Sequence, residues 1–274
     1  MQFFRFLLSL LCGLTLLNGP SRAAPVDLNT WTAESYPAVA GFGAGNWNVA
    51  PDGSSVTQTI NGQPTLFVSD FNAHGTQISG NIRVNLGAGD DDFIGFALGF
   101  APGESLDPFA NFLLIDWKGA TQTFNFGVPS ASPGGSAPSG LAVSRVMGIP
   151  DADEFWQHAN LAGTPPGDGL VEIARGNTLG NTGWVPGVDY EFVFDFGPTD
   201  LEVFVNGVLE LDIVGNFANG PMAFYNFSQA GVSYSAFQTD PGSFPNGGAV
   251  PEPSTLALLA TSLLGLGLLR RRRG

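Results

Sequence analysis

The chain has 274 residues, a formal net charge of −14, ten Lys and Arg against 24 Asp and Glu, and one cysteine. Nothing in so acidic a polymer replaces phosphate counterions, which excludes nucleic acid as a partner. The lone Cys12 excludes an intrachain disulfide and a cysteine-ligated metal site. Abundant Gly and Pro argue against long helices. At the N-terminus, Arg5 precedes the apolar run Phe6–Leu17, followed by the small-residue stretch Ser21-Arg22-Ala23-Ala24. That order predicts a signal peptide over residues 1–23, cleaved after Ala23. Cys12 lies inside the apolar run rather than at its end, so lipidation is not expected.

The body (residues 24–238) with the segment that follows it, up to Ala249, keeps only Arg83, Lys118, Arg145 and Arg175 of the basic residues and all the acidic ones except Glu252. It is therefore more acidic than the whole chain. Short segments of alternating hydrophobicity run through it. Val56–Ile60, Asn61-Gly62 and Thr65–Val68 predict a hairpin, as do Leu201–Val205, Asn206-Gly207 and Val208–Ile213, because Asn-Gly accepts the two positive φ values of a type I′ turn. Ile94, Phe96, Leu98 and Phe100 alternate with Gly95, Ala97 and Gly99, giving one bulky and one small face. A short helix is expected within Asp151–Ala159, with acids early where the helix dipole favours them. Tyr190, Phe192, Phe194 and Phe196 form one face of a strand that carries Asp189, Glu191 and Asp195 on the other. The small residues from Pro129 to Gly140 predict a mobile loop, and residues 239–249 a Pro/Gly linker. Many short strands in a body of this size predict an all-β fold, an antiparallel two-sheet jelly-roll or concanavalin-like sandwich.

Candidate sites follow from the acids. Asp90-Asp91-Asp92 at a loop-to-strand junction suits calcium, a hard cation that takes six to eight oxygens. A partner such as Asp70 must then come from elsewhere in the fold; the alternative is a solvated acidic turn. Asp153, Glu154 and His158 stand together as zinc ligands or a general base, or simply as a surface helical turn. Asp189, Glu191 and Asp195 offer a glycosidase-like row of carboxylates, although Val193 interrupts it and an exposed acidic face explains it equally well. Phe155, Trp156, Trp117 and Trp184 are assigned to the core, whereas Trp31 is expected to be exposed.

The last segment has three parts: Val250-Pro251-Glu252-Pro253, the apolar run Leu256–Leu269, and Arg270-Arg271-Arg272-Arg273 before the final Gly274. The run's fourteen residues at about 1.5 Å each span roughly 21 Å, short of a hydrocarbon core of about 30 Å. The arginines resist translocation and hold the tail at the inner membrane. This tail, residues 250–274, resembles the PEP-CTERM sorting signal of Gram-negative bacteria. The resemblance implies an exosortase-type membrane protease as partner, a transient membrane stop or C-terminal anchor, and delivery to the cell surface or extracellular matrix.

The body resembles the C-terminal, lectin-like domain of thrombospondins. Asn46-Trp47, Asp90–Phe96, Phe112–Lys118 followed by Thr121-Gln122, Gly140–Val143, Phe155–His158, Gly183-Trp184 and Tyr190 carry the likeness in order. It implies a calcium-supported, non-catalytic adhesion module that binds an extracellular polysaccharide or surface protein. The aspartate-rich calcium repeats of that family do not appear before Trp47, so any calcium dependence is expected within the jelly roll itself. A carbohydrate-active enzyme and a structural coat protein are the competing classes.

Overall fold

Strand alternation decides which side chains meet, and in a computed structural model describing residues 23–38, 41–127, 134–161 and 169–240 it builds two stacked sheets. The signal segment before Ala23, residues 241–249 of the predicted linker and the sorting tail lie outside the described residues; Thr239 and Asp240, expected to begin that linker, instead end the last strand, where they pair with Ile78 and Gln77. Among those described, no helix is long and apolar enough to cross a membrane.

The chain opens with β1 (Ala24–Pro25), β2 (Thr32–Ser35), β3 (Trp47–Val49) and β4 (Ser55–Gln58). Longer strands follow: β5 (Thr65–Asn72), β6 (Thr76–Val84), β7 (Phe93–Leu98) and β8 (Asn111–Lys118). Two short ones, β9 (Gln122–Thr123) and β10 (Ser136–Ala137), precede β11 (Gly140–Met147) and the helix α1 (Ala152–Gln157). The chain then runs through β12 (Gly169–Arg175), β13 (Tyr190–Phe196), β14 (Asp200–Val205) and β15 (Val208–Val214). It closes with β16 (Pro221–Phe227) and β17 (Val232–Asp240). The first sheet has the order β15-β14-β13-β6-β17-β4-β3, with β1 also on β17; the second runs β12-β11-β8-β7-β16-β5-β2. The neighbours in both sheets pair antiparallel, giving the expected all-β sandwich.

The two sheets differ in what covers them. β14 alternates half-buried with buried residues, as a strand with one wet face does, whereas every residue of β7 is buried. Ile94, Phe96 and Leu98 of β7 join Phe192, Phe194 and Phe196 of β13 between the sheets. Phe93 and Ala97 point the other way, into a second apolar cluster with Phe126, Phe155 and Trp156. The outer face of the second sheet is therefore capped by α1 and the chain before it. Each fully buried Phe contributes about 1.5–3 kcal/mol. Phe100 belongs to this second cluster, not to the inter-sheet row, because Gly99 adopts φ +82° and turns the chain after Leu98.

Several sequence expectations hold and others are corrected. Asn206 and Gly207 take φ 49° and 77° and join β14 to β15 as a hairpin. The Asn61-Gly62 segment makes no hairpin: β4 lies in the first sheet and β5 in the second, so the chain crosses between them. Its side chain instead anchors two loops, Asn61 Nδ2 donating to Asp90 and Asn61 Oδ1 accepting from Ser228. Of the predicted 129–140 loop, residues 134–140 are described, and Ser136–Ala137 pair with Gln122–Thr123. Trp31 is buried, with its ring 4.6 Å from Phe224 and 5.8 Å from Phe67, so an exposed role for it is withdrawn.

Register also fixes two ends of the sandwich. At one end of β16, Phe227 pairs with Phe93 and Asn226 with Thr65; at the other, Pro221 pairs with Asn72. Ala24 pairs with Thr239, so the first and last described strands of the body lie side by side.

Candidate functional site

The acidic triplet folds as a curl leading into β7, and one oxygen of each carboxylate lies within 4.8 Å of the others. Sequence neighbours on an extended strand alternate faces; here the Asp90 carboxylate accepts from the Asp91 backbone at 3.0 Å, and the chain bends enough for all three to converge. Asn61 reaches Asp90 at 2.8 Å. The backbone of Asp92 is fixed on both sides: its N–H donates to Gln229 at 2.9 Å, and its carbonyl accepts from the Trp184 indole at 3.0 Å. Gly119, at the end of β8, donates to the Asp91 carbonyl at 2.8 Å.

The convergence already contains a cation. Lys118, the sole lysine of the chain, is fully buried. Its Nζ is hydrogen-bonded to Asp92 Oδ1, lies 3.4 Å from both the carboxylate and the carbonyl of Asp91, and reaches Gln122 Oε1 at 3.2 Å. The ammonium also sits 4.5 Å from the Trp156 ring centroid and 5.4 Å from that of Phe93, each face adding a cation–π attraction. Burial lifts the Asp92 carboxyl to about 6, while Lys118 pulls it back toward ionisation. Breaking a buried pair of this kind leaves a desolvated charge, which costs about 3–5 kcal/mol.

The implied calcium is tested by this arrangement. A calcium that takes oxygens of both Asp91 and Asp92 meets the ammonium of Lys118, which already bonds Asp92 Oδ1 and lies 3.4 Å from Asp91 Oδ1, so an ion enclosed by the whole triplet competes with that cation. Asp90 and Asp91 keep partly exposed carboxylates on the outward side. Asp70 does not join them: it lies near the Asn72 end of β5, whereas the triplet enters β7 beside the other end of β16. Asp70 lines a different feature, an open groove of about 300 Å³ that it shares with Asp27, Phe71, Asn72, Thr76 and Thr239.

The second proposed cluster divides between structural roles. Asp151 and Glu154 form a reciprocal capping box on α1, each side chain accepting from the other's backbone at 2.9 Å. His158 is not on the surface. It closes the helix at φ 51° and is buried, with Nε2 3.0 Å from Asp116 Oδ2 and Nδ1 3.0 Å from Glu172 Oε2. Arg175 clamps Glu172 with two bonds of 3.0 Å. Burial alone would lower the imidazole, but Asp116 and then Glu172 hold it protonated, up to about 9. An imidazolium locked between carboxylates is neither a free base nor a metal ligand. Asp153 stands apart: both carboxylate oxygens are buried without a hydrogen-bond partner, and desolvation raises it to about 6.

The β13 carboxylates separate as well. Asp189 pairs with Arg83 at 3.2 Å, Glu191 is exposed, and Asp195 is buried against Gln77 at 2.9 Å. Asp195 has acidic neighbours across the strands instead: it faces Glu202, which faces Asp212. Burial first, and these neighbours next, raise the Glu202 carboxyl.

Residues 43–157 match the thrombospondin C-terminal region. Residues 249–273 match the PEP-CTERM protein-sorting motif. Thrombospondin-3b of Danio rerio is 27% identical over 198 residues, covering 69% of this chain and 20% of that protein. Cartilage oligomeric matrix protein of Rattus norvegicus is 34% identical over 79 residues, covering 29% of this chain and 10% of that protein. The chain thus spans a fifth or less of the length of these relatives. Among solved structures, the carbohydrate binding module CBM66 from Bacillus subtilis aligns with TM-score 0.48 at 9% identity, over 77% of this chain and 95% of that one. The alginate lyase Aly36B aligns with TM-score 0.42 at 13% identity, over 81% and 97%.

Proposed function

We propose that the protein is an exported, non-catalytic binding module of a Gram-negative cell surface, sorted by an exosortase-type membrane protease and holding extracellular polysaccharide or a surface protein. The observation that carries this is the pairing, in one chain, of a thrombospondin C-terminal-like body with a PEP-CTERM motif behind it. The signal segment ends at Ala23, and Ala24 is the first residue paired into the sandwich, which suits cleavage between them. Val250, Pro251, Glu252 and Pro253 would present the sorting motif, and Arg270 to Arg273 would keep the tail at the inner membrane until it is cut.

A binding role agrees with the state of the acids. The carboxylates that a hydrolase would use are paired, buried or separated among the described residues, as at Asp189, Glu191 and Asp195. Calcium enters only at the outward oxygens of Asp90 and Asp91, with water completing its shell, so the ion supports the loop weakly rather than forming its core.

A glycan array run beside a reducing-sugar assay tests the class. Retention of a glycan without product release is the expected result; steady release of reducing ends would replace the module with an enzyme. Intact mass of surface-released protein tests the sorting, with loss of the signal segment and of the arginine cluster expected.

A further inference from the structure

Asp70 and its neighbours have an arrangement that the triplet lacks. The groove beside them, about 300 Å³, is at the small end of the roughly 300–1,000 Å³ typical of small-molecule sites. Its wall is Phe71, a half-buried ring held edge-on to Trp31 at 6.0 Å. Trp31 is itself locked against Phe224, so this apolar plate is rigid before any ligand arrives. Around it stand hydrogen-bonding groups of both kinds: the carboxylates of Asp70 and Asp27, the Asn72 amide, and the hydroxyls of Thr76 and Thr239. Asp70 and Asn72 are exposed at the rim. No basic side chain lines the groove.

Each feature restricts the ligand. A fixed aromatic plate takes an apolar ring face, and convergent acceptors and donors take a ring's hydroxyls. Two carboxylates with no cation beside them repel uronates, sulfates and phosphates. We infer that the groove formed by Asp70, Phe71, Asn72 and Thr76 binds a neutral saccharide, about one or two rings of it, through ring-face contact with Phe71 and hydroxyl hydrogen bonds to Asp70 and Asn72. This deepens the binding role proposed above and rests on it. The groove also lies where Pro25 and Thr239 bound the body, so it is completed only once the segments at both ends of the body have settled.

The test uses the exported protein and a panel of neutral hexose tetrasaccharides (maltotetraose, cellotetraose, mannotetraose), with tetragalacturonate as the charged control. Binding is read by amide chemical-shift perturbation and by calorimetry. Neutral sugars are expected to shift the amides of Asp70, Phe71 and Asn72 and to bind with millimolar affinity. Asp70→Ala with Asn72→Ala should weaken binding at least tenfold while leaving the melting temperature in place, and Phe71→Ala should do the same if it stays folded. Tetragalacturonate binding as tightly as the neutral sugars would overturn the inference. So would neutral-sugar binding that the Asp70/Asn72 double variant leaves unchanged; the module would then stand with its site elsewhere. No binding to this panel alone removes the groove, whereas a silent glycan array together with no surface-protein partner removes the module.

Discussion

At one end of the sandwich, Asp91 and Asp92, with Asp90 beside them, hold a buried lysine; at the other, Asp27 and Asp70 face an open groove with no cation in its lining. Both ends are acidic, yet only the groove leaves its acids without a buried counter-charge. In the triplet, the Asp92 backbone, its carboxylate and the Asp91 carbonyl are each engaged by another part of the chain. The groove keeps its acids at a rim that solvent reaches. Density of charge in the sequence is thus a poor guide to where a ligand goes; what matters is whether the fold has already supplied the counter-charge.

The contrast breaks most visibly through Lys118. Lys118→Met leaves Asp92 buried and unpaired, and urea denaturation should show a loss of about 3–5 kcal/mol. Adding Asp92→Asn should recover part of that loss; a single variant as stable as the parent would mean that the ammonium does not neutralise the triplet.

Next comes the second buried cation. The folded His158 titrates near 9, above its ordinary 6.5, so its contribution is complete below pH 6.5 and fades as pH rises through about 9. Thermal melts across pH 6–10 should show that decline, and His158→Gln should remove it while costing about 3 kcal/mol at pH 6.

Asp153 gives a decline of the same sign in a lower pH window, here from a group that destabilises the fold once ionised. Its carboxyl is raised from 3.8 to about 6 with no partner, so the native state holds the proton more tightly and stability falls as pH rises from about 4 to 6. That shift corresponds to roughly 3 kcal/mol at neutral pH. Asp153→Asn should therefore be more stable than the parent at pH 7 and lose the 4-to-6 dependence. The smallest effect belongs to the open end: Asp70→Ala should change stability by less than about 0.5 kcal/mol, as an exposed acid outside any network does.

How far the sequence could be read follows from the same physics. Alternation in Tyr190–Phe196 places its aromatic face toward the core correctly, because period-two patterns survive any pairing. The Asn206-Gly207 turn is equally local. Asn61-Gly62 misleads because its fate depends on Asp90 and Ser228, distant in sequence, which hold it in a crossover. The three aspartates do converge as expected, yet Asp70 is carried to the far end by the register of β5 on β16. The burial of His158 is not legible locally, because its partners, Asp116 and Glu172, come from β8 and β12. One signal in the sequence did point to the closed end: a single lysine in so acidic a chain, placed beside Trp117 on an apolar strand, has few reasons to be there other than pairing with buried acids.

Calcium titration of the exported protein, by calorimetry and melting together, probes the closed end most directly. With Lys118 in place, binding should be no tighter than about 1 mM, and 1 mM calcium should raise the melting temperature by less than about 2 °C. A micromolar site that disappears in Asp92→Asn would show that a metal ion, and not the lysine, holds the triplet together.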